Sequence, residues 1–281
     1  MTSAAPLCAA VVQLNSQDDV AANLGRVAHW VGEAAKAGAK LVALPENFAF
    51  MGEEEAKRGA AEDLSAGAGA RGPILTALTA LAKKHGVFLV GGGMPEKSGD
   101  PDRPFNTSVL LTPDGEVAAK YRKIHLFDVD LPDGTKLEES RATGRGEVEA
   151  AGGVLTDVGG ALLGMTICYD LRFPELYRAL VTRGARIVTV PAAFTVTTGK
   201  DHWHVLLRAR AIEDQVFVLA PAQSGKHPRG RQTYGKSLIV DPWGDVLAQC
   251  GEGEGFALAR LDFAAQDRVR ASLPCLAHRR L

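Results

Sequence analysis

The strongest constraint on this chain's fold is a hydrophobic period that switches repeatedly between strand and helix. "LCAAVVQL" (7–14) is a short apolar run of strand length. Residues 20–37 then carry Val20, Leu24, Val27, Val31 and Ala34 at spacings of three and four, the stripe of an amphipathic helix. "KLVALPE" (40–46) reads as a buried strand stopped by Pro45, "PILTALTALAKKHG" (73–86) as a helix closing on Gly86, and "VFLVGGG" (87–93) as strand. The second half repeats the alternation: strand 161–168, helix 174–183, strand 186–191, helix 201–214, strand 216–222. Segments 106–123 and 236–249 read instead as hairpins, because "PDG" and "DPWGD" put turn chemistry between extended runs. Strands mixed with helices throughout imply an α/β architecture, and the hairpins make its sheets mixed rather than wholly parallel. No Gly/Ser-rich or Pro-rich linker and no repeat divides the chain, so residues 1–281 are expected to form a single domain.

Composition narrows the function classes. With 281 residues, 46% hydrophobic and 23% charged, the chain is long enough to bury a sizeable core. A formal net charge of −1 gives no long-range field for nucleic acid or an acidic membrane. The N-terminus has no basic region ahead of its apolar residues, and no apolar run nears the roughly 18 residues of a membrane span. A cytoplasmic protein with no nucleic-acid or membrane partner is expected. The four cysteines, Cys8, Cys168, Cys250 and Cys275, are far apart and form no CxxC pair, so no metal, cofactor or disulfide framework is expected. Residues 128–153 are the least patterned stretch, a length that inside a compact domain usually serves function or motion.

Three positions carry candidate chemistry. Cys168 ends an apolar strand, with Pro174 opening a helix soon after. That elbow would expose the thiol near free backbone N–H groups that favour thiolate and can hold an oxyanion. The alternative is a small buried hydrophobe. Glu46 follows "LVALP" directly, and Lys123 closes the first hairpin; each occupies a strand end where a solvated cap is the ordinary role.

Taken together, "LPEN" (44–47), "YRKIHLFD" (121–128) and "CYDLRFPE" (168–175) resemble, in order and separation, the three motifs of the nitrilase superfamily, carbon–nitrogen hydrolases with a Glu-Lys-Cys triad. Stretches 194–227, 234–248 and 273–280 resemble the Nit branch of that superfamily, so the resemblance covers essentially the whole chain. It implies a four-layer α-β-β-α sandwich, Cys168 as nucleophile, Glu46 as general base, and Lys123 stabilising the tetrahedral intermediate. It also implies a second glutamate, with Glu139 fitting best and Glu138 beside it, and a homodimer. The backbone N–H of Tyr169 is a plausible second oxyanion donor, and Arg172 could pair with a substrate carboxylate bidentately or serve in a structural salt bridge. The resemblance further implies an amidase for an α-keto acid amide. Deaminated glutathione, cleaved to 2-oxoglutarate and cysteinylglycine, is the leading substrate, and 2-oxoglutaramate is the alternative. Lys226, Arg229, Arg231 and Lys236 could meet the carboxylate of a dipeptide leaving group, or form a solvated basic loop. His202, Trp203 and His204 could pack or line the pocket, and packing is expected. Arg208, Arg210, Glu213 and Asp214 are expected to form a charged helix face, and Trp243 to cover apolar surface at a hairpin turn. A redox-sensing thiol protein would need neither Glu46 nor Lys123 and would want a resolving cysteine; a binding module would be free to lose a triad residue.

Overall fold

The computed structural model describes residues 5–65, 71–130, 134, 136–147 and 153–280. Of the unpatterned stretch 128–153, residues 131–133, 135 and 148–152 therefore lie outside the described residues. In chain order the first half contains β1 (Leu7–Gln13), α1 (Val20–Lys36), β2 (Leu41–Ala43), α2 (Pro73–His85) and β3 (Phe88–Glu96). The hairpin β4 (Phe105–Leu111) and β5 (Val117–Arg122) follows, then a small ribbon of β6 (Asp128–Asp130) and β7 (Lys136–Glu138). The second half contains β8 (Val154–Asp157), β9 (Leu162–Met165), α3 (Pro174–Thr182), β10 (Ile187–Thr189), α4 (Val196–Asp214) and β11 (Phe217–Ala220). A ribbon of β12 (Ser224–Lys226) and β13 (Gln232–Tyr234), the hairpin β14 (Leu238–Val240) and β15 (Val246–Gln249), β16 (Gly255–Leu261) and α5 (Phe263–Ser272) complete it.

Two six-stranded sheets result, ordered β16-β1-β2-β3-β4-β5 and β15-β14-β11-β10-β9-β8. In each, three central strands run parallel and the outer ones antiparallel, as expected of mixed sheets. The alternation of β1 shows why the layers stack as they do. Ala9 and Val11 point into the core shared with the second sheet, which contains Leu163, Met165, Val188 and Val218. Ala10 and Val12 point the other way, against Val27 and Val31 of α1 and Leu78 of α2. A strand buried on both faces reads as a continuous apolar run, which "AAVV" is. Helices α3 and α4 cover the outer face of the second sheet through Leu176, Leu180, Trp203 and Leu207. The product is the four-layer α-β-β-α sandwich.

Local chemistry sets the element boundaries. The Asp19 carboxylate caps α1 by accepting from Ala22 N at 3.0 Å. Helix α2 opens on Pro73 and ends at Gly86 with φ +60, and the buried Glu62 carboxylate accepts from Ile74 N and Leu75 N at its first turn. Helix α4 begins at Val196, five residues before the expected 201, because Thr195 caps it and its "TVTTG" turn follows. Sequence reading did not identify β6, β7, β8, β12, β13, β16 or α5. Helix α5 shows why: only Phe263 and Gln266 are buried, too few to mark a period.

Two expectations about the surface are corrected. Arg210 and Asp214 are buried rather than part of a solvated face: Arg210 donates through Nε and Nη2 to the Leu171 carbonyl, and Asp214 faces Arg178 at 3.1 Å. Trp243 is 58% exposed and covers little. Trp203 is fully buried, donating to the Lys236 carbonyl at 2.9 Å, whereas His202 is exposed.

Candidate active site

The C-terminal ends of parallel strands from both sheets converge at one place, where α/β sheets ordinarily hold ligands. Glu46 lies three residues beyond β2, Lys123 directly after β5, and Cys168 three residues beyond β9. Their separate strand ends are brought together by the face-to-face packing of the sheets. Glu46, Lys123, Cys168 and Glu139 are all buried, at 3, 2, 8 and 8% exposure.

Lys123 Nζ is the hub. It donates to Glu46 Oε1 at 2.9 Å and to Glu139 Oε2 at 2.8 Å and Oε1 at 3.0 Å. Glu46 is also held by Asn106 Nδ2 at 2.9 Å and by the Ala193 N–H at 3.0 Å, and the Cys168 thiol is its electrostatic neighbour. Glu139 accepts in addition from Phe127 N at 2.7 Å, which fixes it against Lys123. Its neighbour Glu138 points to the exposed rim and pairs with Arg141 at 2.9 Å. The two candidates for the second glutamate thus differ in place: only Glu139 reaches Lys123.

Close backbone approach makes room for this cluster. A Cβ on Gly92 would lie 1.9 Å from the Leu44 carbonyl, so the segment leading to Glu46 can run beside β3 only because that position is glycine. Cys168 itself has φ +47, a left-handed conformation uncommon outside glycine, and opens a tight turn, Cys168–Arg172, ahead of α3. Cys168 N donates to the Pro191 carbonyl at 2.8 Å, anchoring the turn. Behind it lies Asp170, fully buried, which accepts from Tyr121 OH at 2.7 Å and Ile167 N at 2.8 Å and meets His125 Nδ1 at 2.7 Å. Tyr121 and His125 flank Lys123, while Ile167 and Asp170 flank Cys168. One carboxylate therefore ties the two segments together, and His125 stacks on Phe173 at 3.7 Å to close the brace.

The electrostatics follow from these contacts. Burial opposes the charge on Glu46, but the charge and hydrogen bond of Lys123 outweigh it and hold the carboxyl below its usual range. Burial likewise opposes the Lys123 ammonium, yet Glu139 and Glu46 raise its pKa well above the ordinary value. Burial, reinforced by the Glu46 charge, pushes the Cys168 thiol well above its usual range. The elbow therefore does not present the thiolate that its helix-start position implied: Cys168 rests as a neutral thiol beside an ionised carboxylate. That arrangement suits proton removal during attack rather than before it.

The cluster opens into a cavity that leads towards the surface. Tyr169 and Arg172 line it with Phe127, Phe194 and Thr195. Arg172 makes no ion pair among the described residues; its guanidinium meets His202 Nδ1 at 3.3 Å and the Phe194 ring at 5.5 Å. The salt-bridge role weighed for it does not appear among the described residues. Of the basic residues in 226–236, Arg231 lines this cavity and Arg229 an adjoining groove. Sequence reading missed Asn106, Asp170, Glu54 and Lys57. Asp170 lies inside the motif "CYDLRFPE", and Asn106 opens the segment 106–123 read as a hairpin. "GEEEAKRGAAED" looks like a solvated charge run, and nothing in its spacing marks Lys57 as buried.

The sandwich and the Glu-Lys-Cys cluster at its strand ends define a hydrolase of the nitrilase superfamily. The sequence matches the carbon–nitrogen hydrolase family over residues 8–271. It is 42% identical over 275 residues to the deaminated glutathione amidase of Synechocystis, covering 98% of each chain. Among solved structures it resembles the NitFhit protein of C. elegans (TM-score 0.88, 37% identity), covering 99% of this chain and 66% of that one. It also resembles Saccharomyces cerevisiae Nit3, a member of branch 10 of the nitrilase superfamily (TM-score 0.85, 33% identity; 96% of this chain and 94% of that one). The chain belongs to the carbon–nitrogen hydrolase family, and it is a hydrolase of the amidase type.

Proposed function

We propose that this amidase hydrolyses deaminated glutathione to 2-oxoglutarate and cysteinylglycine, with Cys168 as nucleophile. The observation that carries the reading is the buried thiol grouped with a buried Glu46 carboxylate that Lys123 holds in place at 2.9 Å. Cys168 Sγ attacks the amide carbonyl carbon as Glu46 takes the thiol proton. The developing oxyanion is met by Lys123 Nζ and the Tyr169 N–H. Glu46 returns the proton to the amide nitrogen as the C–N bond breaks, releasing the amine and leaving a thioester. Water attacks the thioester, Glu46 takes its proton, and the carboxylic acid leaves as the thiol re-forms. Glu139 holds the Lys123 ammonium from the opposite side. Arg172, without a carboxylate partner of its own, takes the α-keto acid carboxylate, a feature common to deaminated glutathione and 2-oxoglutaramate.

The name of the Synechocystis relative supports the longer substrate. Measuring kcat/KM for deaminated glutathione and 2-oxoglutaramate tests it: the former is expected to be larger. A larger value for 2-oxoglutaramate would make the chain an ω-amidase instead.

The same reading takes residues 1–281 as one catalytic domain working as a cytoplasmic homodimer. Exposed apolar side chains on α4 and the β14–β15 hairpin, Val205 at 66%, Ile212 at 45% and Trp243 at 58%, support a second copy covering that face. Sedimentation equilibrium should give twice the chain mass, and a monomer would reject the dimer. The four free, well-separated cysteines accord with a reducing compartment. Among the described residues no helix is long and apolar enough to cross a membrane.

A further inference from the structure

The cavity above Cys168 does not end at its wall. It adjoins a second, wider groove that opens to the surface, and the two share Glu54, Leu137, Thr195 and Arg231 as lining. These residues form a neck between an inner chamber, which contains Cys168 and Arg172, and an outer one.

The charge balance around Glu54 is uneven, because Lys57 of the inner chamber joins Arg231 of the neck on it. Glu54 accepts from Lys57 Nζ at 2.6 Å and from Arg231 Nη1 at 2.9 Å, so one carboxylate serves two cations. Lys57 is 7% exposed and Arg231 retains a quarter of its side-chain exposure, so neither charge is fully screened by water. Glu54 engages a single nitrogen of a guanidinium that carries five N–H donors, and Arg231 Nε is buried with no hydrogen-bond partner. A second carboxylate would satisfy the excess charge and the remaining donors together. In the outer groove Arg229 pairs with Glu53 at 2.7 Å, but those side chains are 80% and 49% exposed, a pair of little energetic weight.

We propose that this neck is a leaving-group subsite, in which Arg231, set in position by Glu54 and Lys57, receives the free carboxylate of the amine product. The ligand class is an amide whose nitrogen side carries an anionic amino acid or short peptide. The inference rests on the amidase reading, which puts the acyl half of the substrate in the inner chamber with its carboxylate at Arg172. The scissile amide then lies between two cationic poles. A primary amide leaves as ammonia and has nothing to place at the neck, so the second pole acts only on the longer substrate. Lys226 and Lys236, which line neither chamber among the described residues, have no part in it.

Binding to the Cys168→Ala protein separates this subsite from turnover. By titration calorimetry, deaminated glutathione should bind about tenfold more tightly than its C-terminal carboxamide, the difference made by one partly buried charge contact. Adding Arg231→Met should erase that preference, and Arg231→Lys, which keeps the charge and any packing of the stem, should retain part of it. Equal affinities for acid and carboxamide in the Arg231 protein would overturn the subsite, as would a preference that survives Arg231→Met. In the active enzyme, Arg231→Met should lower kcat/KM for deaminated glutathione about tenfold more than for 2-oxoglutaramate, mostly through KM. Parallel losses on both would likewise overturn it. If the enzyme turned over neither compound while the Arg231-dependent binding preference held, the substrate assignment would fall and the subsite would stand.

Discussion

Glu46 and Asp214 are both buried carboxylates, at 3% and 0% exposure, and burial has opposite outcomes for them. Glu46 lies at the end of the parallel strands, where Lys123, Asn106 and the Ala193 N–H all donate to it, and its carboxyl is held below the usual range. Asp214 lies at the end of α4, where neither carboxylate oxygen has a hydrogen-bond partner among the described residues. Its nearest cation, Arg178 at 3.1 Å, is itself a third exposed. Burial therefore dominates, helped by the neighbouring Glu213 charge and opposed by Arg178, and pushes the carboxyl up to about 6. Desolvation penalises the charged form in both places; the number of fixed donors decides whether the charge survives. The first carboxylate keeps its charge because fixed donors surround it, and the second is a charge that burial disfavours.

The largest effect expected is on activity alone. Cys168→Ala should abolish amide hydrolysis while leaving the thermal midpoint close to that of the parent, because the thiol is one small partner among several of Glu46. Amine release by the folded variant would refute the nucleophile.

Next come Glu46→Gln and Lys123→Met, each expected to lower kcat/KM by roughly a thousandfold or more, a loss of about 3–4 kcal/mol in transition-state stabilisation. Lys123→Met sharpens the comparison, because it leaves Glu46 and Glu139 buried without their cation and so turns Glu46 into a site like Asp214. It should lower stability by roughly 3 kcal/mol as well. A Lys123→Met protein with unchanged melting would show that donors other than Lys123 suffice. Glu139→Gln should impair turnover more than Glu138→Gln, and the reverse order would move the second glutamate to the rim.

A smaller effect is expected at the brace. Asp170→Asn keeps the shape but weakens the acceptor that binds Tyr121, His125 and Ile167, so kcat should fall by about tenfold with KM little changed. A loss confined to melting temperature would make Asp170 purely structural.

The smallest effect is at Asp214. Its native carboxyl binds a proton more tightly than an unfolded one, so its contribution to stability is fully present below about pH 4. It is lost as pH rises to about 6 and is flat beyond. Asp214→Asn should therefore raise the melting temperature by a few degrees at pH 7.5 relative to the parent, with the gap closing by pH 4. A destabilised Asn variant at pH 7.5 would show that the Arg178 pair outweighs desolvation.

What the sequence determined was whatever depends on neighbours along the chain. The switch of period from β1 to α1 marked strand and helix, "AAVV" marked a strand buried on both faces, and Pro73 and Gly86 bracketed α2. Three short motifs pointed to the site because each sits at the end of an element that local patterning could find. The tertiary structure decided everything that depends on which strand ends meet. Whether Glu139 or Glu138 faces Lys123, whether Arg210 and Asp214 are wet or dry, and whether the Cys168 elbow favours thiol or thiolate all turn on packing between distant segments. Glu46 and Lys123 are 77 residues apart yet share a hydrogen bond. A carboxylate's charge is a balance of desolvation against donors within a few ångströms. Those donors come from other strands, so the sequence around Glu46 or Asp214 contains the charge but not the partners that decide its state.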